Sequence, residues 1–137
     1  MPRPTILGTL ETALYAADLA AAERFYAGIL GLPVILRQPG RHVFFRSGTS
    51  VLLVFDPAAT AVPPGPGALP VPPHGADGPG HLCLTIAPGD LAAWRDHLRA
   101  EGLEIESEIA WPGGGRSIYV RDPAGNSVEL ADAALWA

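Results

Sequence analysis

Apolar and polar positions along the chain fall into a pattern that occurs twice, at an offset of roughly 70 to 77 positions, so the sequence reads as two copies of one structural unit. Each copy opens on a run suited to a half-buried strand: residues 10–15 (Leu-Glu-Thr-Ala-Leu-Tyr) in the first and 81–86 (His-Leu-Cys-Leu-Thr-Ile) in the second. A helix follows. In the first copy it starts at Asp18, a good N-cap, places Leu19, Ala22, Phe25, Tyr26, Ile29 and Leu30 on one face, and stops at Gly31. The second copy repeats this with Asp90, then Leu91, Trp94 and Leu98, then Gly102. Strands resume after each helix: residues 41–46 (Arg-His-Val-Phe-Phe-Arg) parallel residues 116–121 (Arg-Ser-Ile-Tyr-Val-Arg), and a glycine turn leads to a final strand. Aligning residues 48–53 with 125–130 sets Leu52 against Glu129. Each copy is therefore a βαβββ module of the α+β class.

The modules fill the chain except for one segment, so a single domain over residues 1–137 is expected, with module one at about 5–56, a connector at about 57–79 and module two at about 80–137. Residues 57–80 hold eight of the 15 prolines and five of the 16 glycines, which excludes regular structure through most of the stretch. A connection this long is either functional or a plain linker, since ordinary ones run to ~4–6 residues.

Composition narrows the chemistry. With 48% hydrophobic residues the chain supports a real core, and no run approaches the ~20 apolar residues of a membrane span. Its N-terminus lacks the basic start and apolar stretch of a signal peptide, so a cytoplasmic protein is expected. The basic residues are nine arginines without a lysine, which removes Schiff-base and phosphate-loop lysine mechanisms. A net charge of -5 with scattered arginines argues against nucleic acid as a partner. Cys83, the only cysteine, excludes a disulfide framework and is expected in the core.

Most equivalent pairs in the two modules are apolar, and the exceptions mark a candidate site. The first strands carry Glu11 and His81 at matching places, and the last strand of module two carries Glu129 amid apolar neighbours. A carboxylate in an apolar strand is unfavourable unless paired or bound to a metal, and two carboxylates with an imidazole form a coordination set. Each has a plainer reading: Glu11 at a strand edge in water, His81 as a satisfied core imidazole, Glu129 as a surface carboxylate.

The sequence resembles the vicinal oxygen chelate superfamily, which includes glyoxalase I, extradiol dioxygenases, methylmalonyl-CoA epimerase, fosfomycin-modifying enzymes and bleomycin-resistance proteins. The resemblance rests on Asp18-Leu19 followed by Glu23-Arg24-Phe25-Tyr26, on Leu30-Gly31-Leu32, on Gly80-His81, and above all on Asp122-Pro123-Ala124-Gly125-Asn126-Ser127-Val128-Glu129-Leu130. It implies two paired modules forming a curved, cleft-enclosing mixed sheet, with a divalent metal held by Glu11, His81 and Glu129. The fourth family position falls on Leu52, which cannot ligate, and a histidine is more usual where Glu11 stands. One nitrogen and two carboxylates favour Fe(II) or Mn(II), with Ni, Co or Zn also compatible. The implied activity is that of a metal-dependent lyase, isomerase or dioxygenase chelating a small oxygenated substrate; the alternative is a metal-free protein that sequesters a drug or ligand.

Further candidates follow. Tyr119, ten residues before Glu129, matches a substrate-contacting tyrosine of ring-cleaving relatives and reads equally as a core aromatic. His74 in the proline-rich connector is a candidate general base or an exposed loop residue. Phe44 and Trp111 offer stacking surface and Arg116 an anion contact, all assigned to substrate binding. An exposed apolar sheet face together with Leu135 and Trp136 points to a homodimer.

Overall fold

The apolar alternation of each module folds into its own four-stranded sheet in the computed structural model, which describes all 137 residues. Module one contributes β1 (Glu11–Tyr15), α1 (Leu19–Glu23), β2 (Val34–Gln38), β3 (His42–Ser47) and β4 (Ser50–Phe55). A single turn, α2 (Pro57–Thr60), opens the connector. Module two contributes β5 (His81–Thr85), α3 (Leu91–Ala100), β6 (Ser107–Ala110), β7 (Arg116–Arg121) and β8 (Ser127–Ala131). The sheets run β1-β4-β3-β2 and β5-β8-β7-β6, each with a parallel pair at one edge and antiparallel hairpins elsewhere. The two sheets remain separate and open rather than joining into one continuous sheet.

Local chemistry explains the elements. Asp18 caps α1 by accepting the Ala21 amide, and the chain leaves the helical region at Gly31, whose φ of 77° suits a residue without Cβ. Between them the helix loosens at Arg24–Ile29 into a π-helical turn, with the Leu30 amide reaching back to the Phe25 carbonyl. That turn carries Tyr26, fully buried, toward module two, where its hydroxyl donates to Asp122 Oδ2 at 2.7 Å.

One face of each sheet packs on its helix. Leu14, Val43, Phe45, Leu52 and Val54 from sheet one join Ile118, Val120, Val128 and Leu130 from sheet two in a single cluster of 17 buried residues, so the helix-covered faces share one core. Side chains at alternate positions point to the other face of each sheet, the outer one. On sheet one these include Glu11, Tyr15, His42, Phe44, Leu53 and Phe55, and on sheet two His81, Cys83, Ser117, Tyr119 and Glu129.

Strand register corrects one sequence-derived correspondence. Tyr119 lies across from Glu129 and Phe44 across from Leu53, so the counterpart of Glu129 is Leu53. Leu52 matches the buried Val128 in the core instead. The turn joining β7 to β8 is one residue longer than its counterpart between β3 and β4, and an ungapped alignment slips there. Cys83 is also displaced from its expected place: on the edge strand β5 it shares the parity of His81, and it is exposed.

Leu52→Ala should lower stability by about 2–5 kcal/mol in urea denaturation. Tyr26→Phe should cost about 1.5–3 kcal/mol, the loss of a hydrogen bond to a charged group. Unchanged midpoints would show that neither contact supports the core.

Candidate functional site

Glu129 sits in the middle of β8, on the face opposite the core residues Val128 and Leu130, and is nevertheless buried. It is held from two sides. Trp111 donates its indole N–H to Ser117 Oγ at 2.8 Å, which leaves the Ser117 hydroxyl proton to point at Glu129 Oε2, 2.5 Å away. On the other side, His81 Nε2 lies 3.2 Å from Glu129 Oε1.

The tautomer of His81 follows from its second contact. His81 Nδ1 is 3.1 Å from the Ser127 carbonyl, which can only accept, so Nδ1 carries a hydrogen. In the neutral ring Nε2 is then a bare lone pair facing a carboxylate oxygen. Two acceptors at that distance need a cation between them, either a proton or a metal ion. An imidazole that donates its other N–H to a backbone carbonyl is the usual arrangement of a metal-binding histidine.

The turn before β8 fixes this geometry. Asp122 Oδ1 accepts the amides of Ala124 and Asn126, and Asn126 in turn accepts the Gly80 amide at 2.7 Å, which sets the start of β5 and therefore His81.

The family model for the glyoxalase/bleomycin resistance protein/dioxygenase superfamily matches residues 8–130. The chain belongs to that superfamily. A lactoylglutathione lyase from Agrobacterium tumefaciens has a crystal structure similar to this chain at 41% identity and a TM-score of 0.91, covering 97% of this chain and 98% of its own. A glyoxalase/bleomycin resistance protein/dioxygenase from Nocardioides is similar at 26% identity and a TM-score of 0.69, over 96% of this chain and 85% of that one. TioX from Micromonospora sp. ML1, at 20% identity and a TM-score of 0.69 over 91% of this chain and 98% of its own, shares the fold. Among curated proteins none matches.

Within one chain of this superfamily member, no three His, Cys, Asp or Glu side chains converge closely enough to hold an ion. His81 and Glu129 are together, whereas Glu11 is exposed on the outer face of the other sheet. Tyr119 lies across from Glu129 with its ring 6.3 Å from that of His81. Partial burial first, and the Glu129 carboxylate second, raise the Tyr119 phenol above its ordinary range. Phe44 occupies the outer face of sheet one, stacked on His42.

His74 does not hang in solvent. The connector folds back through a bond from the His74 amide to the Thr60 carbonyl, and the half-buried ring meets Tyr15 Oη at 2.7 Å and packs edge-on against Phe55. It sits four residues along β1 from Glu11, roughly 13 Å at ~3.3 Å per residue, rather than beside His81 of its own chain.

Two substrate-binding expectations change. Arg116 has the parity of Ile118 and Val120, so strand alternation turns its exposed side chain to the face opposite Glu129. The Trp111 indole is engaged by Ser117 and positions the Glu129 carboxylate. Sequence reasoning missed Ser117 itself. The available signal was a small polar residue in an apolar run, equivalent by repeat to another buried polar residue, His42.

Ser117→Ala strips a buried carboxylate oxygen of its donor and should lower stability by about 1–3 kcal/mol in urea denaturation, with Trp111→Phe costing about 0.5–1.5 kcal/mol. A neutral effect for both would mean that water replaces the chain of donors.

Proposed function

We propose that the chain is a divalent-metal-dependent enzyme acting on a small oxygenated substrate, with His81 and Glu129 of one protomer and Glu11 of a second copy as the metal-holding residues. The observation that carries this reading is the Nε2 lone pair of His81 facing the buried Glu129 carboxylate at 3.2 Å. A divalent ion held between the two groups would satisfy that contact and leave room for a third ligand.

A second copy supplies that ligand because the chain leaves the necessary surface uncovered. β1 and β5 are edge strands, and the segment before β1 leaves Ile6, Leu7 and Leu10 between 76% and 98% exposed. Apposing sheet one of one copy to sheet two of another encloses both outer faces in a homodimer and brings Glu11 to the His81–Glu129 pair. Glu11, His81 and Glu129 then form a nitrogen and two-carboxylate set that favours Fe(II) or Mn(II) and tolerates Ni, Co or Zn. A divalent ion held by Glu11, His81 and Glu129 would supply Lewis-acid chemistry toward a substrate oxygen.

Around it, Tyr119 keeps its proton and donates a hydrogen bond to a substrate oxygen. His74, with Nδ1 engaged by Tyr15 Oη, presents Nε2 to move a proton at the far end of the same cleft. The likeness to a lactoylglutathione lyase makes S-lactoylglutathione the first substrate to assay and lyase chemistry the first reaction class. The rings on the outer face of sheet one support a second reading, a metal-free protein that stacks a flat ligand there.

Metal analysis of protein purified without chelator separates the two. About one ion per chain is expected, lost in Glu129→Ala, His81→Ala and Glu11→Ala; wild-type protein that takes up none overturns the enzyme reading. Once a substrate is in hand, His74→Gln should lower turnover by ~10²-fold without releasing metal. Glu11→Ala and Glu129→Ala chains, each inactive alone, should regain about a quarter of the wild-type metal when unfolded together and reassociated, because half of randomly formed dimers are mixed and each mixed dimer has one complete site. No recovery would place Glu11 outside the site.

A further inference from the structure

Arg41 stands out among the arginines. Arg37, Arg95 and Arg121 each form an ion pair with a glutamate, whereas half-buried Arg41 has no carboxylate partner. Its guanidinium lies over the Phe55 ring, 5.4 Å from the centroid, and one of its nitrogens is 2.8 Å from His42 Nδ1. A partly desolvated cation ordinarily has a counter-ion.

The contact with His42 fixes the imidazole. A guanidinium only donates, so His42 Nδ1 accepts and the ring is the neutral Nε2–H tautomer. Burial first, and Arg41 second, lower the His42 pKa below its ordinary value, which keeps that state at neutral pH. The ring is clamped in place, stacked on Phe44 at 4.1 Å and edge-on to Phe55 at 5.7 Å. Nε2–H has no acceptor within the chain, yet no buried side-chain polar atom is left unsatisfied, so that N–H is open to the outside. Arg41 uses one of its five N–H groups on protein. Donors without acceptors thus gather beside the half-buried Phe44 ring, with Phe55 buried beneath them. Arg41 also lines a recess of roughly 360 Å³ together with Leu69, Val71 and Pro72 of the connector.

We infer that the Arg41–His42 corner of sheet one is a receptor for an organic carboxylate whose carbon skeleton lies against the half-buried Phe44 ring. The planar guanidinium fork matches a carboxylate, and His42 Nε2–H adds a fixed donor beside it. The Phe44 ring selects an anion borne on an apolar skeleton over a hydrated inorganic one. The site uses sheet one alone and needs neither the metal nor the His81–Glu129 pair. It adds to the proposed enzyme a determinant for the non-reacting, acidic end of its substrate.

The test titrates benzoate, isosteric but neutral benzamide, and inorganic phosphate into isotopically labelled full-length protein, following His42 and Phe44 signals by NMR, with and without Mn(II)-depleting chelator. Benzoate should bind at least tenfold more tightly than either benzamide or phosphate, whether or not metal is present. Arg41→Gln should abolish the preference over benzamide, and His42→Phe, which keeps the ring stack, should weaken benzoate at least tenfold, the loss expected of a hydrogen bond to a charged group. His42→Gln, which retains an N–H donor, should recover part of that loss. Equal binding of benzoate and benzamide by the wild type, phosphate binding as tight as benzoate, or no binding of benzoate overturns the inference. Because wild-type selectivity alone decides, a variant that fails to fold leaves the test intact. A chain that binds no metal yet selects benzoate would sink the proposed enzyme and leave this site standing.

Discussion

The buried carboxylate of Asp122 organises the molecule. It receives the Ala124 and Asn126 amides on one oxygen and the Tyr26 hydroxyl and Asn126 Nδ2 on the other, so a charge that would be costly in the interior is fully solvated by protein. Two of these partners carry the constraint outward. Tyr26 ties the helix of module one to the last hairpin of module two, and Asn126 passes it on through the Tyr15 carbonyl and the Gly80 amide to the strands on either side. The relative placement of the modules and the start of the strand bearing His81 follow from this one group.

The strength of the Asp122-to-Leu130 run as a sequence signature therefore has a structural origin. Pro123 and Gly125, with φ of 86°, shape a turn that no generic pair of residues would close, Asp122 and Asn126 satisfy it, and only Glu129 at its far end is chemical. The same division runs through the outer faces. On sheet two the polar groups are linked in series, from Trp111 through Ser117 to Glu129 and His81. On sheet one they are set among rings, with two imidazoles, a phenol and a guanidinium around Phe55. A cleft made from both would have a hard, anionic wall and a soft, cationic one.

Much of the fold was open to reading because duplication made each half a check on the other. The strand at 116–121, the Asp18 cap and the terminating glycines Gly31 and Gly102 matched the structure, whereas Asp90 stands at the N-cap position of α3 without a side-chain hydrogen bond. What escaped had definite physical causes. Residues 51–55 are all apolar and show no alternation that would fix their phase, so an ungapped alignment moved the partner of Glu129 from Leu53 to Leu52. Strand parity was not applied to Arg116, and the same parity turns Cys83, with His81, away from the core face on which Leu82 and Leu84 pack. His42 and Ser117 passed unnoticed because each looks ordinary beside apolar neighbours; their burial and their equivalence give them meaning only together.

The one-residue difference between the two hairpin turns has a consequence for how such a duplicated chain diverges. In most connections length is a continuous variable, absorbed by loops at little cost. Here it is binary. A single insertion or deletion between Arg121 and Ser127 that slid β8 by one place would carry Glu129 into the shared core and bring Val128 out in its stead. The two turns differ by one residue yet keep Leu53 and Glu129 on the same face, so what is conserved between the halves is the register of the strands and not the length of the turn, and the two halves, alike in pattern, have ceased to be interchangeable parts.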